Sequence, residues 1–129
     1  MTIFSKIIAG QNPCYKIAED DRYFAFLDIN PLAEGHVLVI PKQEVDYIFD
    51  LDDDTFTGLH LFSKKIALAV EKSIPCLRIG LAVIGLEVPH VHIHLVPLHS
   101  AHDIDFSKEK LKLSEEEFIA IAQRIQTNL

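Results

Sequence analysis

The chain of 129 residues is long enough to bury a core, and we predict a single domain over residues 1–129. Its 12 Lys and Arg against 19 Asp and Glu give a formal charge of -7, which argues against nucleic-acid binding through clustered cations. The two cysteines are far apart, no secretory pattern opens the chain, and no apolar run approaches the roughly 18 residues of a membrane span. We therefore expect a cytoplasmic protein with neither a nucleic-acid nor a membrane partner.

The first half of the chain is predicted to form one short helix and three strands. Periodic apolar residues indicate the helix, and β-branched or aromatic runs between turn signals indicate the strands. In chain order these are a helix over 3–8, a hairpin of strands 15–18 and 23–27, a loop over 28–35 and a strand over 36–40 stopped by Pro41.

The second half is predicted to form two strands between two longer helices. Asp52 to Asp54 can cap a helix that ends before Pro75, and its buried stripe is Leu59, Phe62, Ile66 and Val70. Strands follow over 76–83 and 88–98, and Ser114 with Glu117 forms a capping box for the last helix. The order α-β-β-β-α-β-β-α groups the strands together, which favours an α+β fold with helices packed on an antiparallel sheet.

The most informative stretch runs from Pro89 to Pro97, where three histidines alternate with branched apolar residues. Successive side chains of a strand point to opposite faces, so strand geometry separates the histidines from the apolar residues. One face then carries His90, His92 and His94, and the other carries Val91, Ile93 and Leu95. Three imidazoles on one face indicate a reaction site better than they indicate an ordinary surface.

The residues alone leave three uses for this histidine row open. A metal could take two ligands from His-x-His, but His90 and His94 would lie roughly 13 Å apart on a regular strand, so Glu87 or His99 would have to contribute. Alternatively, a neutral imidazole whose second nitrogen is held by an acceptor can act as a nucleophile at pH 7. The third use is structural, as a row of hydrogen bonds across the sheet.

Several blocks around this run resemble the histidine triad (HIT) family, whose signature is His-φ-His-φ-His-φ-φ with φ apolar. The blocks are Phe4–Gly10, Glu19–Asp21, Ala25–Pro31, Gly35–Lys42 and Gly85–Pro97. The chain is most similar to the Hint-like branch of the family. The resemblance implies the same α+β fold, a HIT-like fold, and usually a homodimer whose sheets join.

The resemblance also implies a reaction on a purine nucleotide that needs no cofactor. A nucleoside 5′-monophosphate, AMP or GMP, would be cleaved from a phosphoramidate or phosphoanhydride through a nucleotidyl-histidine intermediate. His92 is implied as the nucleophile and His94 as a neighbour of the phosphate, while His90 and His36 would support His92 through the ring network. Two alternatives remain, a dinucleoside polyphosphate hydrolase and a nucleotide-binding protein with little turnover.

The nucleotide-binding residues are likewise implied by position. Backbone amides around Glu87 and Val88 would hold phosphate oxygens, and Asp28 would accept hydrogen bonds from the ribose hydroxyls. Asp28 could instead simply shape the turn that follows it. Apolar side chains would wall the base, at Ile3, Phe4, Ile7, Phe26 and Ile29.

Three features depart from the family pattern. Many members carry Asn-x-Gly and a Gln before the triad, whereas the stretch Ile79–Leu86 is apolar apart from its glycines. Glu87 stands where a small hydroxyl residue is common in the Hint-like branch, and its carboxylate is predicted to favour a cationic or amine leaving group. Thr2 and Ser5 stand where many relatives carry zinc-binding cysteines, so we expect no metal there.

Overall fold

The computed structural model describes residues 1–129 and contains a five-stranded antiparallel sheet with three α-helices. In chain order the elements are α1 (Ile3–Ile8), β1 (Lys16–Glu19), β2 (Tyr23–Leu27), β3 (Val37–Pro41), α2 (Asp53–Ser73), β4 (Arg78–Ala82), β5 (Ile93–Leu98) and α3 (Glu115–Thr127). Two 3₁₀ turns, Ile48–Asp50 and Ala101–Ile104, lie outside these elements. The strand order is β1-β2-β3-β5-β4, and every pair is antiparallel, which confirms the predicted fold class.

The two faces of the sheet carry two separate apolar clusters, because alternate side chains of each strand point in opposite directions. One face packs against α2 and α3 and forms a core of 21 buried residues, which includes Val91, Ile93 and Leu95. The opposite face carries a smaller cluster beneath α1. Its buried members are Phe4, Phe24, Phe26, Leu38 and Ile40. The triad histidines lie on this second side, as the alternation predicts.

The two longer helices begin where the capping signals predict. Asp52 caps α2 by accepting the Thr55 backbone N–H at 2.7 Å. Ser114 and Glu117 form a reciprocal capping box at the start of α3, with bonds of 3.0 and 3.1 Å. Each cap satisfies backbone donors that the first helical turn leaves without partners, which typically contributes about 1 kcal/mol. No helix in the protein has both the length and the apolar character needed to cross a membrane.

The strands around the histidine run are shorter than predicted. The strand predicted over 76–83 is confined to Arg78–Ala82, and the one predicted over 88–98 begins only at Ile93. A turn accounts for the difference, because the His90 N–H donates to the Val88 carbonyl at 2.8 Å and cannot join a strand ladder. His90 and His92 therefore precede β5, and only His94 lies within it. The strand predicted over 36–40 has the predicted length but is shifted by one residue, to Val37–Pro41.

Candidate active site

Four buried histidines meet where β3, β5 and the turn before β5 come together: His36, His90, His92 and His94. A polar atom removed from water costs free energy unless it finds a hydrogen-bond partner. No buried side-chain nitrogen or oxygen lacks such a partner in this structure. Where a ring nitrogen has a partner, that partner therefore indicates which nitrogen of the ring carries the proton.

The partner of His92 leaves one of its ring nitrogens basic. His92 Nδ1 lies 2.8 Å from the backbone carbonyl oxygen of His90. A carbonyl oxygen only accepts, so Nδ1 carries the proton and Nε2 keeps its lone pair. We expected His90 to orient His92 through its ring, but the observed contact is the His90 backbone carbonyl. The geometry provides what a nucleophilic imidazole needs, one nitrogen held by an acceptor and the other unprotonated.

The adjacent pair, His36 and His94, has the opposite arrangement. His36 Nδ1 accepts the backbone N–H of Leu32 at 3.0 Å, so the proton of this neutral ring is on Nε2. That nitrogen lies 3.0 Å from His94 Nδ1, which must accept. His94 Nε2 therefore carries a proton, and the His94 ring lies 5.0 Å from the His92 ring between centroids. His94 can donate a hydrogen bond beside the basic nitrogen of His92.

Burial keeps both rings of this pair uncharged at neutral pH. Loss of solvation, followed by repulsion from a protonated His94, lowers the pKa of His36 to about 3. Loss of solvation, followed by the neighbouring His92, lowers the pKa of His94 to about 4. At physiological pH the two rings therefore act through directed hydrogen bonds and contribute no positive charge.

The depressed pKa values predict that the fold loses stability as the pH falls below about 6.5. The unfolded chain protonates His36 and His94 near 6.5, whereas the folded chain resists until about 3 and about 4. Since the unfolded state binds more protons in this window, each ring costs up to about 1.4 kcal/mol of stability per pH unit. Thermal unfolding followed between about pH 8 and pH 5 measures the loss. The His94→Asn variant should show a weaker pH dependence, and an unchanged dependence would contradict this explanation.

Asp28 follows β2 and lies beside the histidine pair. Its Oδ1 accepts the Asn30 backbone N–H at 2.8 Å, and its Oδ2 lies 3.5 Å from His36 Nε2. Burial raises the pKa of Asp28, and the Asn30 N–H partly opposes this increase. The two oxygens thus have separate surroundings, one in the turn and one next to the histidines. This geometry accommodates both the turn role and the ligand role considered for Asp28.

Asp28, His36 and His94 also bring three potential metal-ligand atoms within 4.8 Å of one another. Their hydrogen bonds argue against an ion in this position, because His36 Nε2 carries a proton that His94 Nδ1 accepts. A protonated imidazole nitrogen has no lone pair to coordinate a metal. Glu87 and His99, the additional ligands considered from the sequence, are exposed and outside this group.

The apolar residues expected beside a base gather on the side of the sheet that α1 covers. Phe4 and Phe26 are buried there with their rings 5.5 Å apart, and Ile7 and Val88 pack against the same cluster. The Phe4 ring also lies edge-on to the His92 ring, at 5.0 Å between centroids. Four of the predicted nucleotide-binding residues are thus brought together next to His92.

Apart from Asp28, the remaining predicted nucleotide-binding residues, three in number, are exposed. The side chain of Ile3 is 52% exposed and that of Ile29 is 63% exposed. Glu87 is exposed in the loop between β4 and β5. These side chains are accessible to a ligand, but they are not part of the apolar cluster beneath α1.

Sequence reasoning missed Phe106, which covers the histidine pair from the segment after β5. Its ring lies edge-on to His94 at 4.6 Å and to His36 at 6.4 Å between centroids. Lys110 in the same segment adds a positive charge near Asp28 and His36. Neither residue belongs to a periodic pattern or a motif, so the sequence contains no local signal that would have found them.

Comparison with known proteins identifies relatives whose sequences align with most of this chain. A model of the HIT domain matches residues 9–101. An uncharacterized HIT-like protein of Borreliella burgdorferi is 36% identical, with 98% of this chain and 97% of that protein covered. An adenosine 5′-monophosphoramidase of Schizosaccharomyces pombe is 31% identical, with coverages of 98% and 97%. An adenosine 5′-monophosphoramidase of Saccharomyces cerevisiae is 38% identical, but only 74% of this chain and 61% of that protein are covered.

Two solved structures show the same architecture. A Hit-like protein from Bartonella henselae superposes with a TM-score of 0.87 and 30% identity, covering 99% of this chain and 96% of that one. A zinc-bound histidine triad family protein from Mycobacterium smegmatis superposes with a TM-score of 0.83 and 25% identity, covering 98% and 91%. Both span the sheet, the helices and the histidine site described above.

Proposed function

This chain belongs to the HIT (histidine triad) family, and we propose that it hydrolyses nucleoside phosphoramidates through a covalent intermediate on His92. The observation that carries the proposal is the lone pair on His92 Nε2, which the His90 carbonyl maintains by holding the proton on Nδ1. The two relatives named adenosine 5′-monophosphoramidases support the choice of a phosphoramidate, with AMP or GMP as the nucleotide released.

In the first step, His92 Nε2 attacks the α-phosphorus of the nucleotide. A new bond forms between this nitrogen and phosphorus, and the bond to the leaving nitrogen breaks. The leaving amine departs with the electron pair and takes a proton from water. The nucleotidyl-imidazole is cationic, and the His90 carbonyl stabilises it by accepting the Nδ1–H bond. The N–H of His94 donates to a phosphate oxygen as negative charge develops there.

In the second step, water attacks the same phosphorus and the bond to His92 breaks. The electron pair returns to His92 Nε2, the water loses a proton to solvent, and the nucleoside 5′-monophosphate is released. Both steps need the same tautomer of His92. A ring that is fixed before substrate binds avoids reorganisation during the reaction, which is the advantage of a buried and hydrogen-bonded site.

The residues around His92 supply a binding site of matching chemistry. Asp28 Oδ2 can accept hydrogen bonds from two neighbouring ribose hydroxyls, and the apolar cluster beside Phe4 can cover a purine ring. Backbone N–H groups near Glu87 and Val88 can donate to phosphate oxygens. Ile3 and Ile29, whose side chains are exposed, can extend this apolar wall toward solvent.

Glu87 is proposed to bias the reaction toward amine leaving groups. Its carboxylate attracts a cationic amine and repels the further phosphates of a dinucleoside polyphosphate. In the Glu87→Ser variant, the ratio of kcat/KM for an AMP phosphoramidate to that for a diadenosine polyphosphate should fall about five-fold, an effect typical of one exposed charge. Glu71→Ser, which changes an exposed glutamate of α2, is the control. An unchanged ratio in Glu87→Ser refutes this role.

Two other activities compete with phosphoramidate hydrolysis. A dinucleoside polyphosphate hydrolase would turn over the diadenosine polyphosphate faster than the phosphoramidate. A nucleotide-binding protein with little turnover is favoured by the stretch Ile79–Leu86, in which apolar residues replace the Asn and the Gln that many family members carry before the triad. Parallel assays of both substrates, together with the shift in melting temperature that AMP causes, separate the three activities.

A homodimer is also part of the proposal, and the free edge of the sheet supports it. β4 is at one end of the strand order and pairs only with β5. Leu81 on this strand is 50% exposed, although exposed edge strands usually carry charges that prevent association. Pairing of β4 with β4 of a second copy would satisfy this edge, and sedimentation measurements of the native chain test it.

A further inference from the structure

A hydrogen-bonded network joins the start of α1 to His90. The mechanism described above uses the backbone carbonyl of His90 but none of the side chains of this network. Its members are Thr2, Ser5, Glu44 and His90. The Thr2 hydroxyl oxygen lies 2.9 Å from His90 Nδ1, and the Ser5 hydroxyl donates to Glu44 Oε1 at 2.5 Å. The same carboxylate oxygen accepts the Thr2 backbone N–H at 2.8 Å. The network therefore connects residues from three distant parts of the chain.

The position of each proton in this network follows from its partners. His90 Nε2 lies 2.8 Å from the Pro41 carbonyl oxygen, so Nε2 carries the proton and Nδ1 must accept. Because the Ser5 hydroxyl donates its hydrogen bond to Glu44, the donor to His90 Nδ1 is the Thr2 hydroxyl. The Thr2 oxygen in turn accepts the Ser5 backbone N–H at 3.0 Å, which caps α1. One threonine side chain thus has both a capping role and a contact with the triad.

Zinc, which many family members bind through cysteines near the N-terminus, does not fit this cluster. Thr2 and Ser5 offer neutral hydroxyls, whereas zinc sites in proteins use thiolate, imidazole and carboxylate ligands. The atoms of Thr2, Ser5 and Glu44 that face His90 are also joined directly by hydrogen bonds that use their lone pairs and protons. Hydrogen bonds between these residues connect the three segments directly.

We propose that Thr2 is a positioning residue, which holds the His90 ring in place and thereby fixes the backbone carbonyl of His90 that orients His92. Thr2 and Pro41 bind both nitrogens of the His90 ring, so the ring cannot rotate without losing a buried hydrogen bond. The backbone carbonyl of the same residue holds the proton on His92 Nδ1.

Contacts of α1 and the charge of Glu44 strengthen this connection. Phe4, in the turn that Thr2 caps, packs edge-on against the rings of both His90 and His92. Hydrogen bonds from the Ser5 hydroxyl and the Thr2 N–H hold the pKa of Glu44 below its usual range, so the acceptor is a charged carboxylate at neutral pH. Charge-assisted hydrogen bonds thereby fix the start of α1 to Glu44, and this places the Thr2 hydroxyl against His90.

The kinetic consequence rests on the proposed function, and three variants test it. Thr2→Val keeps the shape of the side chain but removes its hydroxyl, and should lower kcat about tenfold with KM little changed. Thr2→Ser keeps the hydroxyl and should restore kcat to within about twofold. Ser114→Ala removes a comparable helix cap from α3, far along the chain, and should lower the melting temperature without changing kcat. The proposal would be overturned if Thr2→Val kept native kcat and showed only a decrease in melting temperature like that of Ser114→Ala.

A second measurement needs no substrate and so separates this proposal from the proposed function. Nitrogen NMR of histidine-labelled protein should show the proton on Nε2 of His90 and on Nδ1 of His92. In Thr2→Val, the His92 ring should become a mixture of tautomers, whereas His90 should keep its proton on Nε2 because the Pro41 carbonyl still accepts it. An unchanged His92 tautomer would overturn the proposal. If Thr2→Val does not fold, Glu44→Gln should show a smaller change of the same kind. Native kcat together with native tautomers in Glu44→Gln would then overturn the proposal. An inactive native protein with these tautomers would refute the proposed function alone.

Discussion

Replacement of His92 by alanine is expected to lower kcat for an AMP phosphoramidate by at least about 10⁴-fold, as removal of a covalent nucleophile does in other enzymes. The physical reason is that no other ring near the phosphate has a free lone pair. Nε2 of both His36 and His94 carries a proton, and His90 Nδ1 accepts from Thr2. Steady-state kinetics of the purified variant provide the measurement.

Nucleotide binding should survive the loss of His92, since Asp28 and the apolar cluster around Phe4 remain. AMP should therefore still raise the melting temperature of His92→Ala. His60→Ala is a matched control, because His60 is half-buried and, like His92, its Nδ1 bonds a backbone carbonyl, that of Phe56 at 2.8 Å. The control should keep native kcat. Substantial turnover by His92→Ala would exclude His92 as the nucleophile.

Replacement of Asp28 by alanine is expected to lower kcat/KM about 100-fold, because two hydrogen bonds from the ribose to a charged group would be lost. The variant should also lose preference for ribose over 2′,3′-dideoxyribose in the substrate, and this comparison measures the proposed contact directly. If the role of Asp28 were confined to the turn at Asn30, the preference would stay as in the native protein.

Asp28→Asn separates the turn from the ribose contact. An amide oxygen can still accept the Asn30 N–H, so the turn and the melting temperature should be nearly preserved. The loss of charge should nevertheless weaken binding of the ribose hydroxyls, with a decrease in kcat/KM smaller than that of the alanine variant. Equal losses of stability and activity in both variants would favour a structural role.

The parts of the fold with local signals were predictable from the sequence. The caps at Asp52 and Ser114 are specified by residues within three positions of each helix start. The start of β5 was not predictable, because the turn between Val88 and His90 interrupts a run whose alternation is typical of a continuous strand. The alternation was still informative, since it correctly separated the core residues from the histidines on the two sides of the sheet.

The arrangement of the site depends on contacts that no sequence pattern indicates. The resemblance selected the histidines, but their tautomers are set by backbone groups of Leu32, Pro41 and His90. Phe106 reaches His94 from 12 positions away through an irregular segment, and Glu44 reaches Ser5 from 39 positions away. Such partners become visible only when the chain is folded, because hydrogen-bond direction and ring packing depend on the tertiary structure.

The most direct test of covalent catalysis is to trap the intermediate on His92. The native protein would be mixed with an AMP phosphoramidate for less than one turnover, quenched at alkaline pH, digested and analysed by mass spectrometry. Covalent catalysis by His92 predicts one adenylyl group on the peptide that contains His92, formed and lost at rates that match turnover, and no adduct in His92→Ala. Turnover without such an adduct, or an adduct on another residue that forms as fast as turnover, would show that His92 is not the nucleophile.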